Sequence, residues 1–313
     1  MTLADYVTFI AIVECQSLTL AAEKLHLTKS AVSHAVTRIE EELRFPLFYR
    51  DRRDILLTEA AKQLLPYAYT VLRENDRFME QVYSIQGLTS GSVTIGTCSS
   101  TCINWIPDII NTFRQQYPNI EVRVISGACN AELLQRLRNN EIDIAIASAA
   151  PAADLEIQEI YQDEMLCVMN ESFQSREPGK VSVEELKRQP LILQSGAYGE
   201  ESLSTLNDLG LDPTSFFTTY DDACLVAMVE GGLGYCVVGK LVLKSLTAKV
   251  KVYSFNPPQY RKLALIRRSH HKLSPVVKAM SKHIKDYVDN YPDYDLQMSR
   301  TGEKREEPDS VLE

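Results

Sequence analysis

The sequence contains no long hydrophobic run. No stretch reaches the ~18 consecutive apolar residues that a membrane-spanning helix requires. The first residues, MTLADYVTFIAIVE, have neither the basic flank nor the small-residue cleavage site of a secretory signal. Seven cysteines are scattered without a CxxC pair or the Cys/His spacing of a metal site. These absences favour a cytoplasmic protein with reduced thiols, no membrane partner, no metal and no cofactor.

Complete catalytic motifs are missing as well. The five histidines, at positions 26, 34, 270, 271 and 283, include none in a spacing such as HExxH. The phosphate-binding loop, the dinucleotide-binding GxGxxG and the GxSxG nucleophile elbow do not occur as complete motifs. We therefore expect that the protein is not an enzyme.

Length and charge narrow the class of protein further. The chain has 313 residues, which exceeds one ordinary core, so we expect about two domains. The formal net charge of −9 argues against a protein whose whole surface binds nucleic acid. A local basic patch on an acidic body remains compatible with this charge.

The first 43 residues predict three helices. Apolar residues at helical spacing mark helices over about 3–15 and 18–25. Thr28 has the side chain of a good N-cap for a third helix, whose buried face is predicted as Ala31, Val32, Ala35, Ile39 and Leu43. A turn of about three residues joins the last two helices, which is the arrangement of a helix-turn-helix. Short polar side chains occupy the other face of the third helix, where a helix that only filled a core would have no use for them.

Basic residues gather in the segment that follows, RFPLFYRDRRDILLTEAA. Pro46 ends the helix, and arginines stand at positions 44, 50, 52 and 53 beside one aspartate. Residues 55–57 are predicted as a short strand. The segment is interpreted as a basic β-wing.

A long helix is predicted from Thr58 to about Gln86. Mostly apolar residues, with one polar asparagine among them, recur at spacings of four and three, as in a coiled-coil seam. These positions are Leu64, Ala68, Val71, Asn75, Phe78, Val82 and Ile85. The seam predicts a dimerisation helix, and a helix packed on its own domain is the alternative. Residues 87–91, GLTSG, have the composition of a linker.

Strands and helices alternate in the rest of the chain. SVTIGT, a helix over 102–116, IEVRVIS, a helix over 130–139 and IDIAIAS predict a parallel sheet covered on both faces. A second series begins near Glu164, with separate strands at KVKVYSF and KLALIRR and a last helix from Ser274. Two α/β units with a cleft between them are predicted, and the polar tail is predicted to be disordered.

Over residues 3–288 the chain resembles LysR-type transcriptional regulators. The resemblance is carried by FIAIVECQSLTLAAEKLHLTKSAVSHAVTRIEEEL, PLFYRDRRDILLTEAA, WIPDIINTFRQQYPNIEVRV, NNEIDIAIAS and GGLGYCVV, in this order. Three positions where the family usually has glycine hold Arg44, Arg52 and Ala61 instead. These departures concern the end of the third helix, the wing and the start of the long helix.

The resemblance implies an α+β multidomain chain. An N-terminal all-α winged helix-turn-helix DNA-binding domain would cover 1–58, and a linker/dimerisation helix with its hinge would cover 59–90. A C-terminal effector-binding regulatory domain over 91–290 would contain two α/β subdomains like those of periplasmic binding proteins. Subdomain I would take about 91–162 and 267–290, subdomain II about 163–266, and the disordered tail 291–313.

DNA contacts are expected from the exposed face of the third helix and from the wing. The N-terminal part of such a helix enters the major groove, where donors and acceptors distinguish base pairs. At the position of His34 the family commonly has arginine, and Arg53 matches the arginine of the family's wing. The expected DNA-binding residues are Thr28, Lys29, Ser30, Ser33, His34, Thr37, Arg38, Arg50, Arg52 and Arg53.

A ligand site is expected where strands end at the cleft. The expected effector-binding residues are Ser99, Ser100, Thr101, Cys129, Asn130, Ser148, Gln194 and Ser195. Their hydroxyl and amide groups, with no arginine among them, favour a small polar or carboxylate effector held by neutral donors. Helix capping is the alternative role for residues 99–101.

The predicted function is a transcriptional regulator, controlled by a small-molecule effector bound between the subdomains. Its partners would be double-stranded promoter or operator DNA and its own copies, in a homodimer or homotetramer. One alternative is a redox-sensing regulator switched by cysteine oxidation. A transport-type binding protein and an enzyme using the cleft are further alternatives, both weakened by the absences described above.

Overall fold

The computed structural model describes residues 1–50, 55–85, 90–127, 129–149, 151–214, 217–269 and 273–292. The predicted wing residues Arg52 and Arg53 lie outside the described residues, as does the side chain of Arg50. The predicted disordered tail also lies outside them from residue 293 onwards. Within these ranges, no helix is both long enough and apolar enough to cross a membrane.

The N-terminal domain packs three helices against a two-stranded wing. Its elements are α1 (Leu3–Cys15), α2 (Leu18–Lys24), α3 (Lys29–Leu43), β1 (Phe48–Arg50) and β2 (Ile55–Leu57). Phe9 of α1 and Phe48 of the wing pack edge to face, with ring centroids 5.8 Å apart. Ser17 and Thr28 accept hydrogen bonds from the first turns of α2 and α3, so each helix begins where its capping side chain can satisfy free N–H groups.

The buried face of α3 differs from its prediction. Val32, Val36 and Ile39 are buried, whereas Ala31 is exposed and Ala35 is only half-buried. The spacing of four and three residues from Val32 defines one stripe, and each alanine precedes that stripe by one residue. One residue is about 100° of helix rotation, which turns both alanines away from the core. The prediction of Ala31 and Ala35 as buried-face residues was therefore wrong. The opposite, polar face of α3 is exposed to solvent, as predicted.

Arg44 closes α3 in the left-handed conformation, with φ of 62°. This conformation favours glycine, because the Cβ of other residues crowds the following carbonyl. We expect Arg44→Gly to raise the free energy of unfolding by about 0.5–1 kcal/mol. Thermal denaturation checks this, with Arg44→Ala as the matched control, since alanine removes the charge but keeps the Cβ. Equal midpoints for the two variants would contradict the assignment of strain to this residue.

Helix α4 (Glu59–Ile85) is shared between the two halves of the chain. Leu64, Leu65, Ala68, Tyr69 and Leu72 pack against the core of the N-terminal domain. Ala68 is buried in its own domain's core and Leu64 is half-buried against it, as expected for the alternative of a helix packed on its own domain. The sequence left both possibilities open because a spacing of four and three describes any buried helix stripe and does not name the surface it contacts.

A second face of α4 exposes apolar side chains in this single chain. Tyr67, Val71, Phe78 and Ile85 are 71%, 38%, 67% and 77% exposed. Residues at these spacings point in nearly the same direction from the helix axis, so the four side chains form one line along the helix. We call this line the exposed stripe. Three of its members belong to the predicted seam.

The C-terminal half of α4 docks on the regulatory domain through Arg73. Its guanidinium lies 3.1 Å from Asp143 and donates to the hydroxyl of Thr94 at 2.9 Å and to the carbonyl of Asn140 at 3.2 Å. The side chains of Arg73 and Asp143 are 12% and 7% exposed. This buried ion pair with additional hydrogen bonds fixes α4 against subdomain I.

The regulatory domain begins with a parallel βαβαβ unit. Its elements are β3 (Gly91–Thr97), α5 (Ser99–Asn104), α6 (Ile106–Gln116), β4 (Ile120–Ser126), α7 (Asn130–Arg138) and β5 (Ile144–Ser148). The predicted helix over 102–116 is thus two helices, which meet at Trp105. Pro107 stands in the first turn of α6, where its missing N–H costs nothing, and this position suits a new helix start.

The remaining elements build the second lobe and then return to the first. They are β6 (Leu155–Asn170), β7 (Lys180–Val181), α8 (Val183–Leu186), β8 (Ile192–Gln194), α9 (Glu200–Asp208), β9 (Phe217–Thr219), α10 (Asp222–Glu230), β10 (Cys236–Gly239), α11 (Lys240–Lys244), β11 (Val250–Arg268) and α12 (Pro275–Asp289). The apolar face of α12 packs in the same core as β3 and α6.

Two long strands run through both lobes. The sheet order is β10-β6-β11-β5-β3-β4, and β6 pairs antiparallel with β11 from Leu155–Arg268 at one end to Asn170–Val250 at the other. The predicted separate strands KVKVYSF and KLALIRR are therefore one strand. The lobes share a continuous sheet, and the cleft lies where this pair of strands crosses between them.

Candidate functional site

The N-terminal turns of α3 present polar side chains to solvent. Lys29, Ser30 and His34 are exposed and Ser33 is half-buried. Thr28 is used locally, because its hydroxyl accepts the N–H of Ala31 at 3.2 Å and lies 3.0 Å from the hydroxyl of Ser30. Lys29 and His34 offer side-chain nitrogens on this face, of the kind that can contact base edges or phosphates in a groove.

Two further predicted DNA-binding side chains, Arg38 and Thr37, also make contacts within the protein. Arg38 binds the carboxylate of Asp5 on α1 through both terminal nitrogens, and Asp5 is buried. The hydrogen bonds from Arg38 hold the pKa of Asp5 at about 2, against the opposing effect of burial. Thr37 donates its hydroxyl to the carbonyl of Ser33 at 3.1 Å. Arg38 thus joins α3 to α1 in this structure.

A cavity of about 400 Å³ lies between the two lobes of the regulatory domain. Six of the eight predicted effector-binding residues line it: Ser99, Ser100, Cys129, Asn130, Ser148 and Gln194. Thr101 does not line it, because its hydroxyl is buried and donates to the carbonyl of Cys98 at 3.1 Å. Ser195 is also outside the lining, and its backbone N–H continues the β8–β9 pairing by donating to Thr219 at 2.7 Å.

The centre of the cavity is an arginine that the sequence analysis missed. Arg261 of β11 donates to Asp163 at 2.8 Å and to the hydroxyl of Ser100 at 2.9 Å, and it also binds Glu201. Ser148 donates to the same Glu201 carboxylate. Side chains from both lobes therefore meet at one guanidinium. The expectation that neutral donors alone line the cleft was wrong.

Burial and charge pairing oppose each other at this centre. Burial lowers the pKa of Arg261, but the carboxylates of Glu201 and Asp163 outweigh it, so the pKa is raised overall. For Asp163 burial dominates and raises the pKa, with Arg261 opposing that shift. The pair also lies directly against Gly239. A side chain at this position would place its Cβ 2.3 Å from the Asp163 carboxylate and 2.7 Å from the Arg261 guanidinium, which is too close. Glycine is required at position 239 for this close approach.

A further carboxylate, Asp222, and the ring of Tyr198 also line the cavity. Asp222 accepts a hydrogen bond from Gln194 at 2.7 Å, and its pKa is raised, mainly by burial. The hydroxyl of Tyr198 reaches across the cleft and donates to the carbonyl of Gly127 at 3.2 Å. Tyr198 also packs edge to face with Tyr220, with ring centroids 6.3 Å apart.

The cysteines fall into different environments. Cys98 and Cys129 line the cavity and precede the first residues of α5 and α7. Burial raises the pKa of Cys102, Cys167 and Cys236, which disfavours the reactive thiolate at these three positions. Cys98 and Cys129 are therefore cysteines that stand at the cavity, outside this group of three.

Comparison with protein families gives two matches that together cover both halves of the chain. Residues 3–62 match the bacterial regulatory helix-turn-helix protein, lysR family, and residues 86–289 match the LysR substrate binding domain. The uncharacterized HTH-type transcriptional regulator YvbU of Bacillus subtilis is 28% identical over 268 residues, covering 85% of this chain and 91% of YvbU.

Solved structures agree with the fold. Full-length OxyR from Pseudomonas aeruginosa superposes with a TM-score of 0.71 at 19% identity, covering 91% of this chain and 95% of the OxyR chain. Full-length CbnR complexed with its target DNA gives a TM-score of 0.65 at 17% identity, covering 91% of this chain and 99% of the CbnR chain. From the helix-turn-helix, the two-lobed cavity domain and these matches, the chain belongs to the LysR family of DNA-binding transcriptional regulators.

Proposed function

We propose that this protein acts in the cytoplasm as a homodimer or homotetramer on promoter or operator DNA. A small-molecule effector in the inter-lobe cavity controls its activity, and the cavity carries no catalytic reaction. The observation that supports DNA reading most directly is the polar surface, exposed at Lys29, Ser30 and His34, at the first turns of α3. Lys29, Ser30, Ser33 and His34 can reach base edges or phosphates there without rearranging the core.

The docking of α4 supports control by an effector. The helix continues without interruption from the core of the DNA-binding domain to the Arg73–Asp143 contact on subdomain I. Arg261 with Ser100, and Glu201 with Ser148, join the two lobes across the cavity. A ligand that changes the separation of the lobes would therefore change the position of a subdomain to which the DNA-binding domain is attached.

Selection of bound sites from random DNA by the full-length protein tests the DNA-binding proposal. On the selected site, we expect Ser33→Ala and His34→Ala each to relax base preference by about 1–3 kcal/mol where the contact is to a base edge. Lys29→Ala should weaken binding and reduce its salt dependence if it contacts a phosphate. Binding is measured by fluorescence anisotropy at several salt concentrations.

A matched control separates these effects from the loss of a surface charge. Lys282 is exposed on α12, and Lys282→Ala should bind the selected site as the unmodified protein does. If Ser33→Ala, His34→Ala and Lys29→Ala all behaved like this control, the assignment of α3 to base recognition would be wrong.

The position of Cys98 and Cys129 supports one second candidate, a regulator switched by cysteine oxidation. Peroxide would oxidise two thiols to a disulfide and be reduced to water, with loss of both thiol protons. Treatment with peroxide and mass spectrometry of the full-length protein would detect this bond. Its absence, together with unchanged DNA binding, would leave the effector proposal as the better one.

A further inference from the structure

The charged side chains that line the cavity are mostly carboxylates. Glu200, Glu201, Asp208 and Asp222 stand against Arg261 and Lys262. The Lys262 ammonium lies 3.0 Å from Glu159, and this pair is about half exposed, so solvent and a partner already satisfy it. The charge of the cavity interior therefore depends on how many carboxylates Arg261 neutralises.

Each of the three guanidinium nitrogens of Arg261 already has a partner within the protein. Its side chain is 9% exposed, and its three nitrogens contact Asp163, Glu201 and Ser100. One guanidinium thus faces two carboxylates, which leaves an excess negative charge at the centre. A carboxylate ligand would have to displace one of these partners, and it would add a further negative charge to a poorly solvated site.

Asp222 adds to this excess. Among the described residues no ion pair is formed with its carboxylate, and the hydrogen bond from Gln194 is a neutral donor. Burial raises its pKa, Arg261 opposes this shift, and the like charge of Asp221 reinforces it. A partly buried carboxylate with neutral hydrogen bonding and nearby like charges is stabilised by an added cation.

Aromatic faces accompany these carboxylates. Tyr198 and Tyr260 line the same cavity and are 39% and 54% exposed. The hydrogen bond from Tyr198 to Gly127 holds that ring at the cleft. Tyrosine faces attract cations, so aromatic rings beside carboxylates suit an ammonium or guanidinium group with a short apolar body.

We propose that the effector of this protein is cationic, with an ammonium or guanidinium group that Asp222 and Glu201 neutralise and an apolar part against Tyr198. This inference rests on the proposed function, which makes the inter-lobe cavity the effector site. It replaces the carboxylate effector that the sequence favoured, because Arg261 is occupied by the protein's own carboxylates.

Two probes with the same four-carbon skeleton and opposite charge test this inference. Butane-1,4-diamine and butanedioate are titrated into the full-length protein in a calorimeter. We expect the diamine to bind and butanedioate to give no saturable heat. Asp222→Asn keeps an oxygen acceptor for Gln194 but removes the charge, so diamine affinity should fall about tenfold or more. Glu171→Gln removes an exposed charge outside the cavity lining and should leave that affinity unchanged.

The outcomes separate this inference from the proposed function. Saturable binding of butanedioate without binding of the diamine would overturn the cationic class and keep the cavity as an effector site. Equal diamine affinity in Asp222→Asn and Glu171→Gln would show that the amine binds the general acidic surface, and would overturn the inference of a cationic effector. The absence of diamine binding would overturn that inference as well. Sequence-specific DNA binding is measured on the same preparations, and its failure would count against the proposed function alone.

Discussion

Replacing Phe78 and Ile85 together with glutamate is expected to convert the protein to a monomer that binds a palindromic site poorly. Both side chains belong to the exposed stripe of α4 and are 67% and 77% exposed in the single chain. Large apolar side chains repeated along one helix face favour burial against a partner, and glutamates there would place like charges opposite each other. Two half-sites require two linked DNA-binding domains, so DNA affinity should fall with the oligomer.

Sedimentation velocity and DNA binding on the same samples measure this effect. Leu233→Glu is the matched control, because Leu233 is an apolar residue that is 42% exposed but lies in subdomain II, away from α4. The control should keep the oligomer and its DNA affinity. An unchanged oligomer in the Phe78/Ile85 variant would show that the stripe is not a dimer contact.

Arg261→Met should be among the most destabilising single changes in the regulatory domain. It leaves the fully buried Asp163 without its counter-ion and removes the link between Asp163, Ser100 and Glu201. Removing one partner of a buried pair leaves an uncompensated charge, so we expect a loss of about 3–5 kcal/mol in the free energy of unfolding near neutral pH.

The pH dependence distinguishes a lost charge pair from lost packing. Without Arg261, burial raises the pKa of Asp163 in the folded state further above its unfolded value. A raised folded pKa favours the folded state at low pH and loses that contribution as pH rises. The loss of unfolding free energy in Arg261→Met should therefore become smaller as the pH is lowered from about 8 to about 5.

Urea denaturation across this pH range measures the difference in unfolding free energy between Arg261→Met and the unmodified protein. Lys262→Met is the control, because Lys262 follows directly in β11 but forms a pair that is about half exposed. It should unfold within about 0.5 kcal/mol of the unmodified protein at each pH. A deficit in Arg261→Met that does not change with pH would assign the effect to packing.

Local signals predicted the helix starts and the general architecture well. Ser17, Thr28 and Ser274 cap α2, α3 and α12 through their own side chains, and such caps are readable because each involves only neighbouring residues. The alternation of strands and helices predicted an α/β regulatory domain, and the resemblance predicted a winged helix-turn-helix. Both were confirmed by the fold and by the family matches.

Features that depend on distant residues were missed. The sequence NPPQ near residue 256 interrupts the strand pattern, but in the sheet it occupies a register shift between Ser254 and Gln259 within one strand, β11. Arg261 and Asp163 lie in mid-strand and far apart in sequence, whereas the predicted effector-binding residues follow strand ends. Each has a charged neighbour, Lys262 and Glu164, so neither stands out in the sequence. Only the register that places Arg261 directly opposite Asp163 identifies them as a pair.

The shared position of α4 has a consequence for how the chain unfolds. The N-terminal half of this helix supplies core side chains to the DNA-binding domain, and its C-terminal half is bonded to subdomain I through Arg73. A cut at residue 58 would separate the two halves of the chain but would also remove from the smaller core the helix that packs against α1 and β2. Melting of α4 would release both halves at once, so we expect their denaturation to be one cooperative transition in which the regulatory domain contributes to the thermal resistance of the N-terminal domain.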